Sequence, residues 1–162
     1  MTLPRPTGLL RAEARMRRAL EIARTRTPAG DIPVGAVIYG PDGEELGWGT
    51  NRREADLDPT AHAEVVAIRR AVAAYGDGWR LTDCEIVVTL EPCAMCAGAL
   101  VGARIASIVY GAAEPNTGAC GSWVEVPRAP GALFVPQVRG GVLVEETASL
   151  LTDFFGGLPV RP

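Results

Sequence analysis

The chain has 162 residues and a formal net charge of −3, and its 48% hydrophobic and 22% charged residues are typical of a globular protein. This composition excludes a largely disordered chain, and the length favours a single domain over residues 1–162 with one sizeable core. No apolar stretch is long enough to span a membrane and no signal-like segment follows Met1, so we expect a cytoplasmic protein without membrane attachment.

The periodicity of apolar residues and the turn residues between them predict an alternation of helices and strands. In chain order the predicted elements are helix 9–26, strand 33–39, turn 40–43, strand 45–49, helix 60–74, strand 85–90, helix 92–103, strand 105–110, strand 138–144 and helix 145–155. Thr60 is the expected N-cap of its helix, and the strand–helix–strand order predicts parallel neighbouring strands. The expected fold is α/β, a three-layer α/β/α sandwich around a mixed five-stranded sheet.

Positive charge is concentrated at the N-terminal end of the chain. Residues 1–28 contain seven arginines and two acidic residues, whereas the remainder contains nine arginines and seventeen acidic residues. Arg11, Arg15 and Arg18 share one face of the first predicted helix. We interpret that face as solvated helix surface, the usual role of such charge runs, and keep a phosphate-contacting stripe as the alternative.

Two short motifs carry the chemistry. His62, the single histidine of the chain, lies two residues before Glu64, and Pro92-Cys93-Ala94-Met95-Cys96 follows downstream. This H-x-E…P-C-x-x-C arrangement is the signature of zinc-dependent nucleobase deaminases. His62, Cys93 and Cys96 are therefore the predicted ligands of one Zn²⁺, which leaves a coordination position open for water. Glu64 is the predicted catalytic residue, moving a proton from water to the ring nitrogen and the leaving amine.

Each motif taken alone has a simpler interpretation. A His-x-Glu pair on a helix is commonly a solvated surface pair, and Cys-x-x-Cys occurs in redox sites and in structural zinc sites. A structural site would need Cys84 or Cys120 as its fourth ligand, because no second histidine exists. We expect these two cysteines to be buried free thiols. The two motifs together favour a catalytic zinc site over a structural one.

At these residues the chain resembles the cytidine deaminase-like superfamily, and within it the bacterial tRNA-specific adenosine deaminases. The likeness runs from about residue 31 to residue 155. Its specific stretches are residues 31–37, 58–64, 89–100, 116–122 and 152–155. The resemblance implies that His62, Cys93 and Cys96 bind zinc and that Glu64 shuttles protons. It also implies a homodimer that converts the wobble adenosine of a tRNA anticodon loop to inosine.

The same resemblance implies that Asn51 hydrogen-bonds the bound nucleotide. The simpler interpretation of Asn51 is a residue that ends a strand in a turn. Three segments depart from the family pattern by lacking the expected basic or hydrogen-bonding residues. They are residues 113–116, 133–135 and 156–161.

These departures keep a second enzymatic hypothesis open, in which the same site deaminates a free nucleobase or nucleoside such as guanine, cytosine or adenine. Small substrates need no basic rim. Leu133 and Phe134 could line the pocket, cover it or pack in the core. A third hypothesis is a non-catalytic, zinc-stabilised binding domain, which Glu64 disfavours because a structural site has no use for that carboxylate.

Overall fold

A mixed five-stranded sheet forms the middle layer of the fold in a computed structural model that describes residues 7–157. The elements are α1 (Thr7–Arg26), β1 (Gly35–Tyr39), β2 (Glu45–Thr50), α2 (Arg53–Asp56), α3 (Ala63–Tyr75), β3 (Glu85–Leu90), α4 (Ala94–Gly102), β4 (Ser107–Ala112), β5 (Gln137–Arg139) and α5 (Val144–Gly156). The prediction for the chain start at residues 1–6, and that for the weakly charged tail 156–161 from residue 158 onward, lie outside the described residues.

The strands follow the order β2-β1-β3-β4-β5. β1 pairs antiparallel with both β2 and β3, whereas β3, β4 and β5 run parallel. The parallel pairing of β3 and β4 confirms the crossover that was expected from the strand–helix–strand order. The predicted fold class is therefore confirmed.

Two apolar clusters cover the two faces of the sheet. Successive strand residues point to opposite faces, so Ile38 packs in the cluster beneath α3 and α4 while Val37 packs in the cluster beneath α1. Met16 and Leu20 of α1 are fully buried on that second face. Because both faces are covered, all five residues of β1 are buried.

Helix α3 approaches β2 very closely, and this contact sets where the helix begins. A Cβ atom on Gly47 would lie 2.5 Å from the backbone nitrogen of Ala71. A Cβ atom on Gly49 would collide with the carbonyl oxygen of Ala63, at the first residue of α3. Glycine at these two strand positions therefore lets the helix lie directly on the strand backbone.

Several predicted boundaries are wrong in ways that have local physical causes. His62, and not Thr60, precedes α3 as its N-cap, because the Thr60 hydroxyl donates to Asp58 at 2.7 Å instead. The last strand ends at Arg139, since Gly141 and Leu143 adopt positive φ angles of 79° and 52° that break the extended run. The short helix α2 was not predicted. Within residues 7–157, no helix has the length and apolar character needed to cross a membrane.

Candidate metal centre and active-site cavity

The two motifs occupy equivalent places, each at the start of a helix. His62 is the N-cap of α3 and Cys93 is the N-cap of α4, both with extended backbone angles. Neither side chain makes a capping hydrogen bond, so the imidazole and the thiol remain available for another partner. Cys96 lies one turn further along α4 and is buried. Two loop-to-helix junctions thus bring the three predicted ligands together.

The ligand atoms have the separations that a tetrahedral zinc site requires. The Sγ atoms of Cys93 and Cys96 lie 3.7 and 3.5 Å from Nδ1 of His62, and all three atoms fall within 4.8 Å of one another. Zinc–sulfur and zinc–nitrogen bonds of about 2.3 and 2.0 Å at a tetrahedral angle separate sulfur and nitrogen by about 3.5 Å. His62, Cys93 and Cys96 therefore fit one zinc ion, as the motifs predicted.

The thiols of Cys93 and Cys96 have different pKa values in the metal-free protein. Hydrogen bonds from Cys96 and His62 lower the pKa of the Cys93 thiol to about 4. The pKa of the Cys96 thiol is raised, first by its hydrogen bond to Cys93 and then by burial. In the metal-free protein, Cys93 is therefore the thiol that deprotonates more readily. A bound cation deprotonates its coordinating thiols.

Glu64 lies in the first turn of α3 and is only 5% exposed. Burial raises the pKa of this carboxyl above its usual value. The side chain lines the same cavity as His62 and Cys93, without belonging to the ligand group. This is the position expected for a proton-carrying carboxylate beside a metal, and not for a fourth ligand.

The cavity above the three ligands has a volume of about 190 Å³. It is lined by side chains from β3, from the starts of α3 and α4 and from the loops next to them. The lining residues are Ile32, Val34, Asn51, Arg53, His62, Ala63, Glu64, Leu90, Glu91, Cys93, Glu114 and Thr117. The predicted catalytic and ligand residues thus share one cavity with Asn51, except for Cys96, which is buried and is not among the lining residues.

Asn51 follows β2 and is 8% exposed. Its backbone N–H donates to the Val34 carbonyl at 3.3 Å. Among the described residues, its Oδ1 is the one buried side-chain nitrogen or oxygen atom without a hydrogen-bond partner. A buried polar atom left unpaired is unfavourable, so Oδ1 is suited to accept a hydrogen bond from a molecule that enters the cavity.

Four polar lining residues were not assigned a role from the sequence, namely Arg53, Glu91, Glu114 and Thr117. Glu91 directly precedes the Pro-Cys-x-x-Cys motif, and its place in that stretch was the only available signal. Leu133 and Phe134 are not among the lining residues, and Leu133 is 88% exposed. Cys84 and Cys120 are buried free thiols outside the ligand group, as predicted.

Two of the three arginines predicted to share a face of α1 are engaged with the protein itself. Arg15 forms an ion pair with Glu85 at 2.8 Å and stacks over Tyr39. Arg18 pairs with Glu45 at 2.8 Å and with Glu21 at 3.0 Å. Local neutralisation of these two charges disfavours a phosphate-contacting stripe, and Arg15 is packed and not solvated, since only 15% of its side chain is exposed.

Residues 10–112 match the family described as the cytidine and deoxycytidylate deaminase zinc-binding region. The chain is 41% identical over 143 residues to the tRNA-specific adenosine deaminase of Haemophilus influenzae, covering 88% of this chain and 82% of that protein. It is 44% identical over 156 residues to the tRNA(Ile)-lysidine synthase of Deinococcus deserti, but it spans only 28% of that protein's length.

Solved structures share the fold over most of the chain. A structure from a study of A-to-I editing by tRNA:A34 deaminases superposes with a TM-score of 0.79 at 40% identity, covering 84% of this chain and 97% of that one. The guanine deaminase of Nitrosomonas europaea superposes with a TM-score of 0.72 at 28% identity over 96% of each chain. Together with the ligand geometry, these findings assign the chain to the zinc-binding cytidine and deoxycytidylate deaminase family, in the group of the tRNA-specific adenosine deaminases.

Proposed function

We propose that this chain hydrolytically deaminates adenosine to inosine at the wobble position of tRNA. The observation that carries the reaction is the convergence of the three ligand atoms, the buried Glu64 carboxylate and the unpaired Oδ1 of Asn51 at one cavity. The tRNA substrate is supported by the 41% identity to a tRNA-specific adenosine deaminase of comparable length.

His62, Cys93 and Cys96 would hold the zinc ion, which supplies Lewis-acid activation of water when bound. In the reaction, the water oxygen adds to C6 of the adenine ring, the bond from C6 to the exocyclic nitrogen breaks, and ammonia leaves. The three side chains start from two different helices, so binding the ion also ties α3 to α4. Their own task is to hold the ion at the floor of the cavity.

Glu64 would carry the protons. Its carboxylate takes one proton from the attacking water and gives it to the ring nitrogen, then takes the second proton from the hydroxyl added at C6 and gives it to the leaving amine. Burial favours the protonated form of Glu64, which is the form that must donate. A non-catalytic zinc domain would gain nothing from Glu64 beside the ligands, because burying a carboxylate that is only 5% exposed is unfavourable.

Asn51 would orient the nucleotide. Its unpaired Oδ1 accepts a hydrogen bond from a donor on the substrate, which satisfies a buried polar atom at the same time. A base at the wobble position lies in a loop, so extruding it into a cavity costs less unstacking energy than it would within a duplex. Arg53 lines the cavity and is exposed, which gives the phosphate backbone next to an extruded base a cationic contact.

A free-base deaminase is the second candidate. It is favoured by the superposition on a guanine deaminase over 96% of each chain and by the presence of only one arginine among the described cavity-lining residues. We rank it below the tRNA deaminase because the identity to that structure is 28%, against 40% for the structure from the tRNA:A34 deaminase study. The proposal also includes a homodimer and a cytoplasmic location.

The deciding experiment offers the zinc-loaded protein two kinds of substrate. One is an anticodon stem-loop with adenosine at the wobble position, beside a matched loop whose only adenosine is one position away. The other is each of the free bases guanine, cytosine and adenine. Inosine in the first RNA alone is the expected result, with Glu64→Gln as the inactive control. Ammonia release from a free base without inosine in either RNA would reverse the ranking.

A further inference from the structure

We propose that Glu91 is a positioning residue that holds the segment Glu114–Ser122 in place as a wall of the substrate cavity. The inference deepens the function proposed above and rests on it for the identity of the substrate. Glu91 lies between the end of β3 and the metal-ligand motif, and only 2% of its surface is exposed. We will call residues 114–122 the wall segment.

The Glu91 carboxylate accepts four hydrogen bonds, all of them from the wall segment. Its Oε1 accepts the backbone N–H groups of Cys120 at 3.0 Å and Ser122 at 3.1 Å. Its Oε2 accepts the backbone N–H of Glu114 at 3.0 Å and the Ser122 hydroxyl. One side chain therefore fastens both ends of the wall segment through the four hydrogen bonds that it accepts.

The middle of the wall segment lies directly against the same junction. A Cβ atom on Gly118 would come within 2.5 Å of the Glu91 Oε2, so glycine is what permits this approach. Gly118 forms a backbone bridge with Cys93, and the Ala119 N–H donates to the Pro92 carbonyl at 2.8 Å. The wall segment thus rests on the turn that carries a metal ligand.

The wall segment also forms part of the cavity. Glu114 and Thr117 both line it, and both lie in a stretch that has no helix or strand of its own. The metal ligands and Glu64, in contrast, are placed at the starts of α3 and α4, and only Cys93 among them has a backbone bridge to this segment. Loosening the wall should therefore impair substrate binding more than the chemical step.

The test compares Glu91→Gln with Glu125→Gln in the full, zinc-loaded chain. Glutamine at 91 places an NH₂ group against N–H donors of the wall segment, whereas Glu125→Gln removes only a surface ion pair to Arg128. For Glu91→Gln we expect unchanged zinc content, faster amide hydrogen exchange in residues 114–122 and a KM for the anticodon stem-loop raised about tenfold, the size of one lost hydrogen bond to a charged group. We expect kcat to change far less, and the control to match the wild type.

Three outcomes would overturn the proposal. They are unchanged exchange in the wall segment, a fall in kcat at unchanged KM, and an equal effect in Glu125→Gln. A fall in kcat at unchanged KM is the result expected if the substitution only unfolds part of the protein, because fewer molecules are then active while each binds substrate normally. If Glu91→Gln does not fold, Ser122→Ala decides the matter, because it removes one donor and keeps the carboxylate. Faster exchange at the C-terminal end of the segment and a smaller rise in KM then support the anchor, and wild-type values overturn it.

The exchange measurement keeps the two proposals separate. It needs no substrate, so it reports on the anchor even if the wild-type protein leaves the stem-loop untouched. In that event the function proposed above fails, and the KM comparison is repeated on whichever free base the wild type deaminates. If Glu91→Gln exchanges faster in residues 114–122 but the wild type does not deaminate the stem-loop, only the tRNA substrate is contradicted. If the exchange is unaltered and the wild type deaminates the stem-loop, only the role of Glu91 is contradicted.

Discussion

The floor and the walls of the cavity are built in different ways. The floor consists of His62, Glu64, Cys93 and Cys96, all within one turn of the start of α3 or α4. The walls include Asn51, Arg53, Glu114 and Thr117, which follow β2 and β4 on the connections or in the short helix α2. The floor is held by regular helices that pack on the sheet, while the walls are held by individual hydrogen bonds.

This difference explains how one floor serves several substrates within a family. Helices fixed by a packed core keep catalytic groups within a few tenths of an ångström, which the chemistry requires. Connecting segments tolerate exchange of residues, so substrate choice resides there. The chain is similar both to a structure from a study of tRNA:A34 deaminases and to a guanine deaminase, which is consistent with this division. Substitutions in the floor should abolish the reaction, and substitutions in the walls should change what is bound.

The largest effect is expected from removing a metal ligand. His62→Ala or Cys93→Ala should lose both zinc and activity, because two remaining ligands bind the ion weakly. Zinc per chain, measured by elemental analysis, checks this. Cys84→Ala and Cys120→Ala are matched controls and should keep the metal, since neither belongs to the ligand group. Loss of zinc in Cys84→Ala or Cys120→Ala would indicate the structural four-ligand site instead.

Glu64→Gln should have the next largest effect. The amide keeps the shape of the side chain but carries no proton between water and the leaving amine, so kcat should fall by about 10²- to 10⁴-fold. Zinc content should remain that of the wild type, as Glu64 is not a ligand. The measurement pairs single-turnover inosine formation with elemental analysis. Full activity in Glu64→Gln would refute the proton-carrying role.

Asn51→Ala tests the proposed hydrogen bond between a wall residue and the substrate. Removing the amide should lower kcat/KM by about 10- to 100-fold, in keeping with one buried hydrogen bond, while zinc content stays unchanged. Glu54→Ala, a nearby exposed position, serves as the control and should behave like the wild type. If Asn51→Ala and the wild type have equal kcat/KM, Asn51 does not contact the substrate and only ends a strand in a turn.

Arg53→Gln should give the smallest effect and the sharpest distinction between substrates. Loss of one phosphate contact should weaken stem-loop binding roughly fivefold and reduce the slope of log K against log salt by about 1. Deamination of a free base, if any occurs, should not change. Arg24→Gln, an exposed arginine of α1, is the control. A salt slope identical to the wild type would exclude Arg53 from the RNA contact.

The metal site was predictable because each half of it is local in sequence. His62 and Glu64 lie in one helix start, and Cys93 and Cys96 in another, so the spacing of residues already encodes their geometry. The layer order was predictable because buried strands read as apolar runs and the helices between them as periodic patterns. The last strand was predicted to be too long, because the valines after Arg139 resemble a strand in sequence. The chain turns there, and Gly141 has a φ of 79°.

The walls of the cavity were decided by the tertiary structure. Glu91 meets Glu114 and Ser122 because β4 lies parallel to β3, which brings the connections at their carboxyl ends together. Arg53 and Asn51 line the same cavity because β2 and α3 pack so closely that only glycine fits at Gly47 and Gly49. By itself, the sequence determined which residues could bind a zinc ion and carry protons, since such residues need only short spacings along a helix. What binds above them depends on contacts between distant segments, which only the folded chain brings together.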